Sequence, residues 1–549
     1  MKPKNQYHSF FKTLFVLTIA LLTSSALFAE AVVKQDVMVP MRDGVKLATN
    51  IYIPDGEGPW PVVLTRTPYN KNSAASTASQ YNERGYVLVS QDVRGRYASE
   101  GVDQPFENDM NDGYDTVEWV AEQSFSNGKV GIFGTSAPGI TSNLAAAAAP
   151  PHLVAAIVTV APDSLFYRSR FPGGAFKESH SGGWLRGQGI SEEKIAEYKK
   201  RAVIDDRTRN TDFLFFRQNV EIPVFNIGGW HDIYAEGSLY NFLYLQNDGN
   251  EKARGKQKLF MGAFGHGALE GDLEYPAGGS LRGDLEPHLR WWDYWLKGIE
   301  NGVMDEPAIS FYMMASARKG MPSEKNRLIT TNKWPPKNKK TRFYLQEDMG
   351  LSTQQPKTKK ASATYSFDPT NPVPTVGGQN LGRDVGPRDQ REIGKRQDYL
   401  RFETPVLEDD VVVAGHIDME LWASTDGLDT DFVVKLVDVY PDGYEALILD
   451  YPIRARFRKG QEPKDVEFMK PGKAEKLIVN MWSTAQTFEK GHRIAVHVSS
   501  SNYPRFDVNK NQGEELGDLK AEPRVAKNTI YFDETHPSAI ILPVVENDL

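Results

Sequence analysis

The segment Gly131-Ile-Phe-Gly-Thr-Ser-Ala-Pro-Gly-Ile140 sets one serine, Ser136, between a short apolar run and the alanine-rich stretch Leu144–Ala149. An apolar run, a turn of small residues and a helix former describe a strand–turn–helix, in which a serine hydroxyl is held out on a strained turn above a helix N-terminus. Small neighbours are needed because such a turn brings two backbones together. The pattern departs from Gly-x-Ser-x-Gly, since Pro138 stands at the second glycine position and Gly139 follows it. Proline is tolerated in a first helical turn, where its missing N–H would have no partner anyway. Taken alone, the segment is equally compatible with an ordinary helix start.

A serine becomes a nucleophile only beside a base that is itself oriented by a carboxylate. Two later segments supply those groups in the order Ser, Asp, His. Asp232 ends Gly228-Gly-Trp-His-Asp232 after the apolar run Val224–Ile227, and His266 lies in Gly262-Ala-Phe-Gly-His-Gly267 after Leu259–Met261. Both fall at the carboxyl ends of expected strands, where open α/β sheets place their sites. The reading is Ser136 as nucleophile, His266 as general acid and base, and Asp232 as the carboxylate that fixes the imidazole tautomer. Of the ten histidines, His231 is the main rival to His266. Adjacent to the acid, it cannot easily both donate a hydrogen bond to that acid and reach Ser136. Asp163, Asp205 and Asp206 compete with Asp232 and are expected to be solvated.

The elements that would carry these residues are visible in the apolar periodicity. Pro61–Thr65, Tyr86–Ser90, Val130–Phe133 and Val154–Val160 read as buried strands, and Asp112–Glu122 as a helix with Tyr114, Val117 and Val120 on one face. Alternating strands and helices imply a mostly parallel sheet covered on both sides. Residues 163–221 break the rhythm with clustered aromatics and a charged helix capped by Ser191, and read as an inserted helical cap. Strands and the helix Pro287–Leu296 then resume. From Trp334 to Gly386 a Pro/Lys/Gly-rich stretch predicts long surface loops. Beyond it, His416–Leu421, Leu477–Met481 and Arg493–Val498 alternate apolar and polar positions, as half-buried antiparallel strands do. The expected fold is an α/β-hydrolase core (32–162 and 222–330) interrupted by the cap, followed by a β-sandwich of jelly-roll type (331–549).

Composition limits the chemistry. The chain has 549 residues, no cysteine and a net charge of −8. A disulfide scaffold, a zinc finger, an iron–sulfur cluster and a thiol nucleophile are excluded, and a nucleic-acid partner held by phosphate neutralisation is not expected. Residues 1–31 carry Lys2, Lys4 and Lys12, then the apolar run Leu14–Leu22, then Ser24, Ser25, Ala26, Ala29 and Ala31. That order describes a secretory signal cleaved after Ala31 or Ala29, with an uncleaved anchor as the alternative. The chain is therefore expected in the periplasm or outside the cell, with no stable membrane association after cleavage. A homo-oligomer is compatible with this composition.

Many motifs in order resemble one family. Arg66–Lys71, Gln91–Gly101, Glu118-Trp119, Ser126–Gly131, the Ser136 turn, Gly229–Asp232 and Gly265-His266 are similar to the cocaine-esterase-like serine hydrolases, a group that includes glutaryl-cephalosporin acylases, α-amino-acid ester hydrolases and X-Pro dipeptidyl-peptidases. The likeness continues through Asp429–Phe432, Lys435–Gly443 and Ser499–Asp507. It implies the same hydrolase core, cap and jelly roll. It also implies an oxyanion hole formed by the N–H of Ala137 and the hydroxyl of Tyr69. The family usually has tyrosine after the nucleophile, where this chain has Ala137, so a side-chain wall of the pocket is lost. The α-amino-acid ester hydrolases hold the substrate ammonium with carboxylates just after the triad aspartate. Here Ile233, Tyr234 and Ala235 follow, and Glu236 is the nearby acid, which favours a neutral or anionic acyl group.

The reading is a serine hydrolase acting on a small ester or amide through an acyl-enzyme, with no cofactor or metal. An acylase or dipeptidyl-peptidase specialised for amides, and a catalytically inert binding protein, are the alternatives. Phe166, Tyr167, Phe171 and Trp184 of the cap, with Trp230 beside the acid, are candidates for the substrate pocket. Arg94 and Arg96 could meet an anionic substrate or form structural ion pairs. Asp426, Asp429 and Asp431 could bind calcium or simply be solvated.

Overall fold

A computed structural model describes residues 32–276, 278–281 and 283–546. The expected signal, 1–31, lies outside the described residues. The core is a ten-stranded sheet built from β1 Val32–Pro40, β2 Lys46–Ile53, β3 Trp60–Thr67, β4 Val87–Asp92, β5 Ser126–Thr135, β6 Leu153–Thr159, β7 Val224–His231, β8 Lys258–Gly265, β9 Ile309–Met313 and a closing strand Arg327–Thr331. The order is β1-β2-β4-β3-β5-β6-β7-β8-β9, with Arg327–Thr331 at the far edge. Every pairing from β4 to β9 is parallel, while β1, β2 and the closing strand pair antiparallel.

The side-chain period of two divides each central strand between two cores. Val62, Leu64, Val87, Val89, Ala156 and Val158 pack under the helices Asp109–Ala121 and Ala137–Ala147. Val63, Leu88, Ala155 and Ile157 face Ala75–Asn82 and Glu286–Lys297, the latter bringing Trp291 and Trp292. Because both faces are covered, the strand ends are where side chains can reach an open cavity. Tyr69, Ser136, Asp232 and His266 each stand one or two residues past the carboxyl end of β3, β5, β7 or β8.

Residues between β6 and β7 form short helical turns around a small core of their own, with Phe166, Phe171, Phe176, Leu185, Ile195 and Ile204 joined by Phe457 from the C-terminal region. Ser191 caps the helix Glu192–Lys199 by accepting from Lys194 N–H. Asp163 is not solvated as expected: it is 2% exposed and paired with Arg168 and Arg217, which stand in for the lost water.

The C-terminal region is an antiparallel β-sandwich of a seven-stranded and a four-stranded sheet. The stretch 334–386 is not all loop. It contains the strands Asn338–Leu345 and Ser362–Phe367, whose inward positions carry Phe343, Leu345, Tyr365 and Phe367 while their Lys, Thr and Ser face outward. Such solvent-facing strands are half polar, which hid them in the sequence. Asp429 and Asp431 are buried, held by Arg456, Arg454 and Asn509, and Asp426 pairs with Arg524. Guanidinium and amide groups already fill the role a calcium ion would have.

The sandwich is tied to the core by a buried charge. Glu236, on the helix Ala235–Asn247, is 1% exposed; its Oε2 accepts from Ser483 N–H at 2.7 Å, and its Oε1 lies 3.0 Å from His416 Nδ1. The other ring nitrogen of His416 is 3.2 Å from Asp418. Burial opposes protonation of His416, but these hydrogen bonds from Asp418 and Glu236 win and hold its pKa at about 9. A folded-state pKa above the ordinary 6.5 contributes stability that is complete below pH 6.5 and is lost as pH rises through 9. His416→Ala is therefore expected to remove part of the alkaline loss of stability. Denaturant unfolding below pH 6.5 and above pH 9 should show the unaltered protein losing more than the variant; equal losses would refute the linkage.

Candidate active site

Ser136 has φ 64° and ψ −123°, a conformation L residues rarely adopt. Strain of this kind costs about 1–3 kcal/mol and persists only where the surroundings impose it. Here they do. Ser136 N–H donates to Thr159 O at the end of β6, and its carbonyl accepts from Ile140 N–H inside the following helix. A Cβ on Gly134 would fall 2.1 Å from the Pro138 carbonyl carbon, so only glycine allows that approach. At Gly139 a Cβ would lie 2.9 Å from the Ala161 Cβ and 3.0 Å from Gly134 O. The displaced glycine thus keeps a packing role one residue later, while Pro138 occupies the first turn at no cost in hydrogen bonds.

The three groups expected to work together are in contact. The Ser136 hydroxyl lies 2.8 Å from His266 Nε2, and His266 Nδ1 lies 2.8 Å from Asp232 Oδ2. Asp232 is fully buried, and its other oxygen accepts from Tyr234 N–H at 2.8 Å. That arrangement places the imidazole proton on Nδ1 and leaves the Nε2 lone pair facing the serine. His231, the sequence rival, points away: it is buried, stacks on Tyr275 and is pulled to a pKa of about 4 by burial.

Tyr69 and Ala137, the first residue of the helix Ala137–Ala147, line the same cavity as Ser136 and His266, which has a volume of about 240 Å³. Trp184 joins them from the cap, stacked on Phe106, and its Nε1–H donates to the Tyr69 hydroxyl at 2.8 Å. The indole occupies a lone pair of that oxygen, so the phenolic proton is left to point elsewhere. Burial, outweighing this bond, raises the Tyr69 pKa and keeps the phenol protonated.

Of the aromatics expected to form the pocket, Trp184 alone lines it. Phe166 and Phe171 are 3% and 1% exposed inside the cap core, with Tyr167 against Phe166, because the cap needs them to hold itself together. Trp230 is also turned inward, donating to Tyr312 O and stacking on Trp334. The cavity is closed instead by Ile140, Leu165, Leu185, Tyr234 and Leu381, with His180 and Arg170 as polar wall. His180 meets the Tyr234 hydroxyl at 3.0 Å, and burial holds it neutral. Tyr234 was within reach of sequence reasoning, two residues after the acid. Leu381 was not, since it comes from the stretch read as surface loop, which Gln379 anchors on Trp230 O. Arg94 pairs with Asp43 and Asp112, and Arg96 with Asp103, so both are structural.

Residues 43–211 match the X-Pro dipeptidyl-peptidase (S15 family) model, and residues 301–541 match the X-Pro dipeptidyl-peptidase C-terminal non-catalytic domain. The cocaine esterase of a Rhodococcus species is 32% identical, covering 94% of this chain and 99% of that protein. Among solved structures, an aminopeptidase from a marine Thaumarchaeota archaeon superposes with a TM-score of 0.81 at 24% identity over 98% of this chain and 99% of the other. An α-amino acid ester hydrolase does so with a TM-score of 0.77 at 24% identity over 96% and 100%. The chain therefore belongs to the family of serine hydrolases that holds cocaine esterase and the X-Pro dipeptidyl-peptidases, enzymes of ester and amide hydrolysis.

Proposed function

We propose that the protein is an exported carboxylic-ester hydrolase working through an acyl-enzyme on Ser136. The unbroken chain of contacts from Ser136 through His266 to Asp232 carries this reading. His266 Nε2 takes the serine proton as the hydroxyl attacks the carbonyl carbon. Asp232 stabilises the imidazolium without itself taking the proton. Negative charge then develops on the former carbonyl oxygen, where Ala137 N–H, at the positive end of a helix, and Tyr69 O–H donate to it. Collapse of the tetrahedral species expels the leaving group, which receives its proton from His266. A water activated by the same imidazole then releases the acid and restores Ser136.

Esters of neutral or anionic acids suit the site better than α-amino acyl groups. The cavity wall has no aspartate or glutamate among the described residues to meet an ammonium group. Glu236, the one acid close after Asp232, is committed to His416 and Ser483.

A fluorophosphonate probe should label the protein, and Ser136→Ala should abolish labelling and lower kcat on p-nitrophenyl esters by about a millionfold. Labelling that persists unchanged in the variant would sink the assignment. Tyr69→Phe is expected to reduce kcat by roughly 100- to 1000-fold with little change in KM. Trp184→Phe, which keeps an aromatic face for Phe106 but frees the Tyr69 hydroxyl to rotate, should show a smaller loss in the same parameter. Export is open to direct measurement: N-terminal sequencing of protein recovered from the periplasm or medium should begin at Val32, or at Glu30 for cleavage after Ala29. A mature chain starting at Met1 would refute it.

A further inference from the structure

Seven arginines fall between residues 163 and 221. Five of them have a carboxylate within ion-pair distance: Arg168 and Arg217 on Asp163, Arg186 on Glu178 and Glu192, Arg207 on Glu107, and Arg209 on Glu462. Arg170 and Arg201 have none among the described residues. Their guanidinium groups lie over one ring, that of Tyr198, at 5.5 and 5.1 Å from its centroid.

Arg170 is half-buried and lines the cavity in front of Ser136. With Arg201 it also lines an adjoining recess of about 20 Å³, and Phe106 and Leu165 are common to both spaces. Glu107 borders the recess but is taken by Arg207. The carboxylate that Arg170 senses is Asp212, whose oxygens are already engaged by Ser164 Oγ, Phe166 N–H and Leu214 N–H at 3.0, 2.7 and 3.0 Å. Burial pulls the Arg170 pKa below its ordinary value, with Tyr198 and Asp212 pulling it back only in part. A cation partly withdrawn from water without a counter-ion is disfavoured. One placed on the wall of a reaction cavity is completed when a ligand brings the missing charge.

We propose that Arg170, backed by Arg201, docks a carboxylate on the substrate, so that the enzyme acts on esters or amides of carboxylate-bearing molecules. The inference rests on the hydrolytic reading above and names the substrate class of that site. The guanidinium fork presents paired N–H donors that match a carboxylate, and the recess beside it has room for a group of about one or two waters in size. The apolar walls Ile140, Leu165 and Leu185 then take the carbon chain between that carboxylate and the scissile carbonyl.

Two pairs of esters test the proposal and tell which half of the substrate carries the charge. Mono-p-nitrophenyl glutarate against p-nitrophenyl butyrate varies the acyl side, and p-(butyryloxy)benzoate against phenyl butyrate varies the leaving side. Arg170→Gln should lower the kcat/KM ratio of charged to neutral ester in one pair by roughly 10- to 100-fold, the worth of a hydrogen bond to a charged group. Arg170→Lys should restore part of it. Ratios unchanged in both pairs would overturn the proposal. Calorimetric binding of glutarate and benzoate to Ser136→Ala, and its weakening on adding Arg170→Gln, gives the same answer without turnover. Equal binding to both proteins would count against it. Failure of the hydrolytic reading is distinct from either result, because then neither ester is turned over while anion binding still follows Arg170.

Discussion

The backbone at Ser136 is held at φ 64° against its own preference, and the arrangement of the site follows from the contacts that keep it there. The Thr159 carbonyl at the end of β6 receives the Ser136 amide, which requires β5 and β6 to run side by side and end at the same level. Gly134 and Gly139 remove the side chains that would separate the two limbs of the turn. The helix that follows then starts directly after the serine, with its first residue, Ala137, on the cavity wall. A parallel sheet closed on both faces is the frame that makes this possible. It leaves strand ends as the places where polar side chains can emerge, and it brings β3, β5, β7 and β8 to one edge. Tyr69, Ser136, Asp232 and His266 come together for that reason, although 130 residues separate Ser136 from His266.

The cap completes what the sheet begins. Trp184 is half of a contact whose other half, Tyr69, follows β3, so the donor expected to meet a developing oxyanion is oriented by a residue from a different layer. The cap is itself held from behind by the sandwich: Phe457 enters its core, and Gln461 Nε2–H donates to Ala202 O. The C-terminal region also sends Leu381 into the cavity wall. A region matching a non-catalytic domain thus shapes the space in which a substrate would lie.

Charge is distributed with the same economy. Carboxylates near the site are buried and committed, Asp232 to His266, Asp163 to Arg168 and Arg217, and Glu236 to His416 and the Ser483 amide. What remains on the cavity wall is neutral, as His180 is, or positive, as Arg170 is. The charge that the cavity presents is therefore set less by Ser136, His266 and Asp232 than by which charges their neighbours have already neutralised.

The amino-acid sequence by itself determined the sheet, the strand–turn–helix at Ser136 and the order Ser136, Asp232, His266. These depend on local patterns: apolar runs of strand length, glycines where backbones touch, and polar residues at strand ends. It also determined that the chemistry belongs to oxygen and nitrogen, since cysteine is absent. Only the tertiary structure decided the walls of the pocket. Phe166, Phe171 and Trp230 are as aromatic in sequence as Trp184, yet they serve the packing of their own layers, and which face of an irregular cap turns inward is a matter of long-range contact. The same holds for Leu381, whose polar surroundings read as loop, and for Asp429 and Asp431, whose partners lie far along the chain. Arg170 is the clearest case. Its significance is the absence of a counter-ion among the described residues, a property of three dimensions that spacing along a chain does not encode.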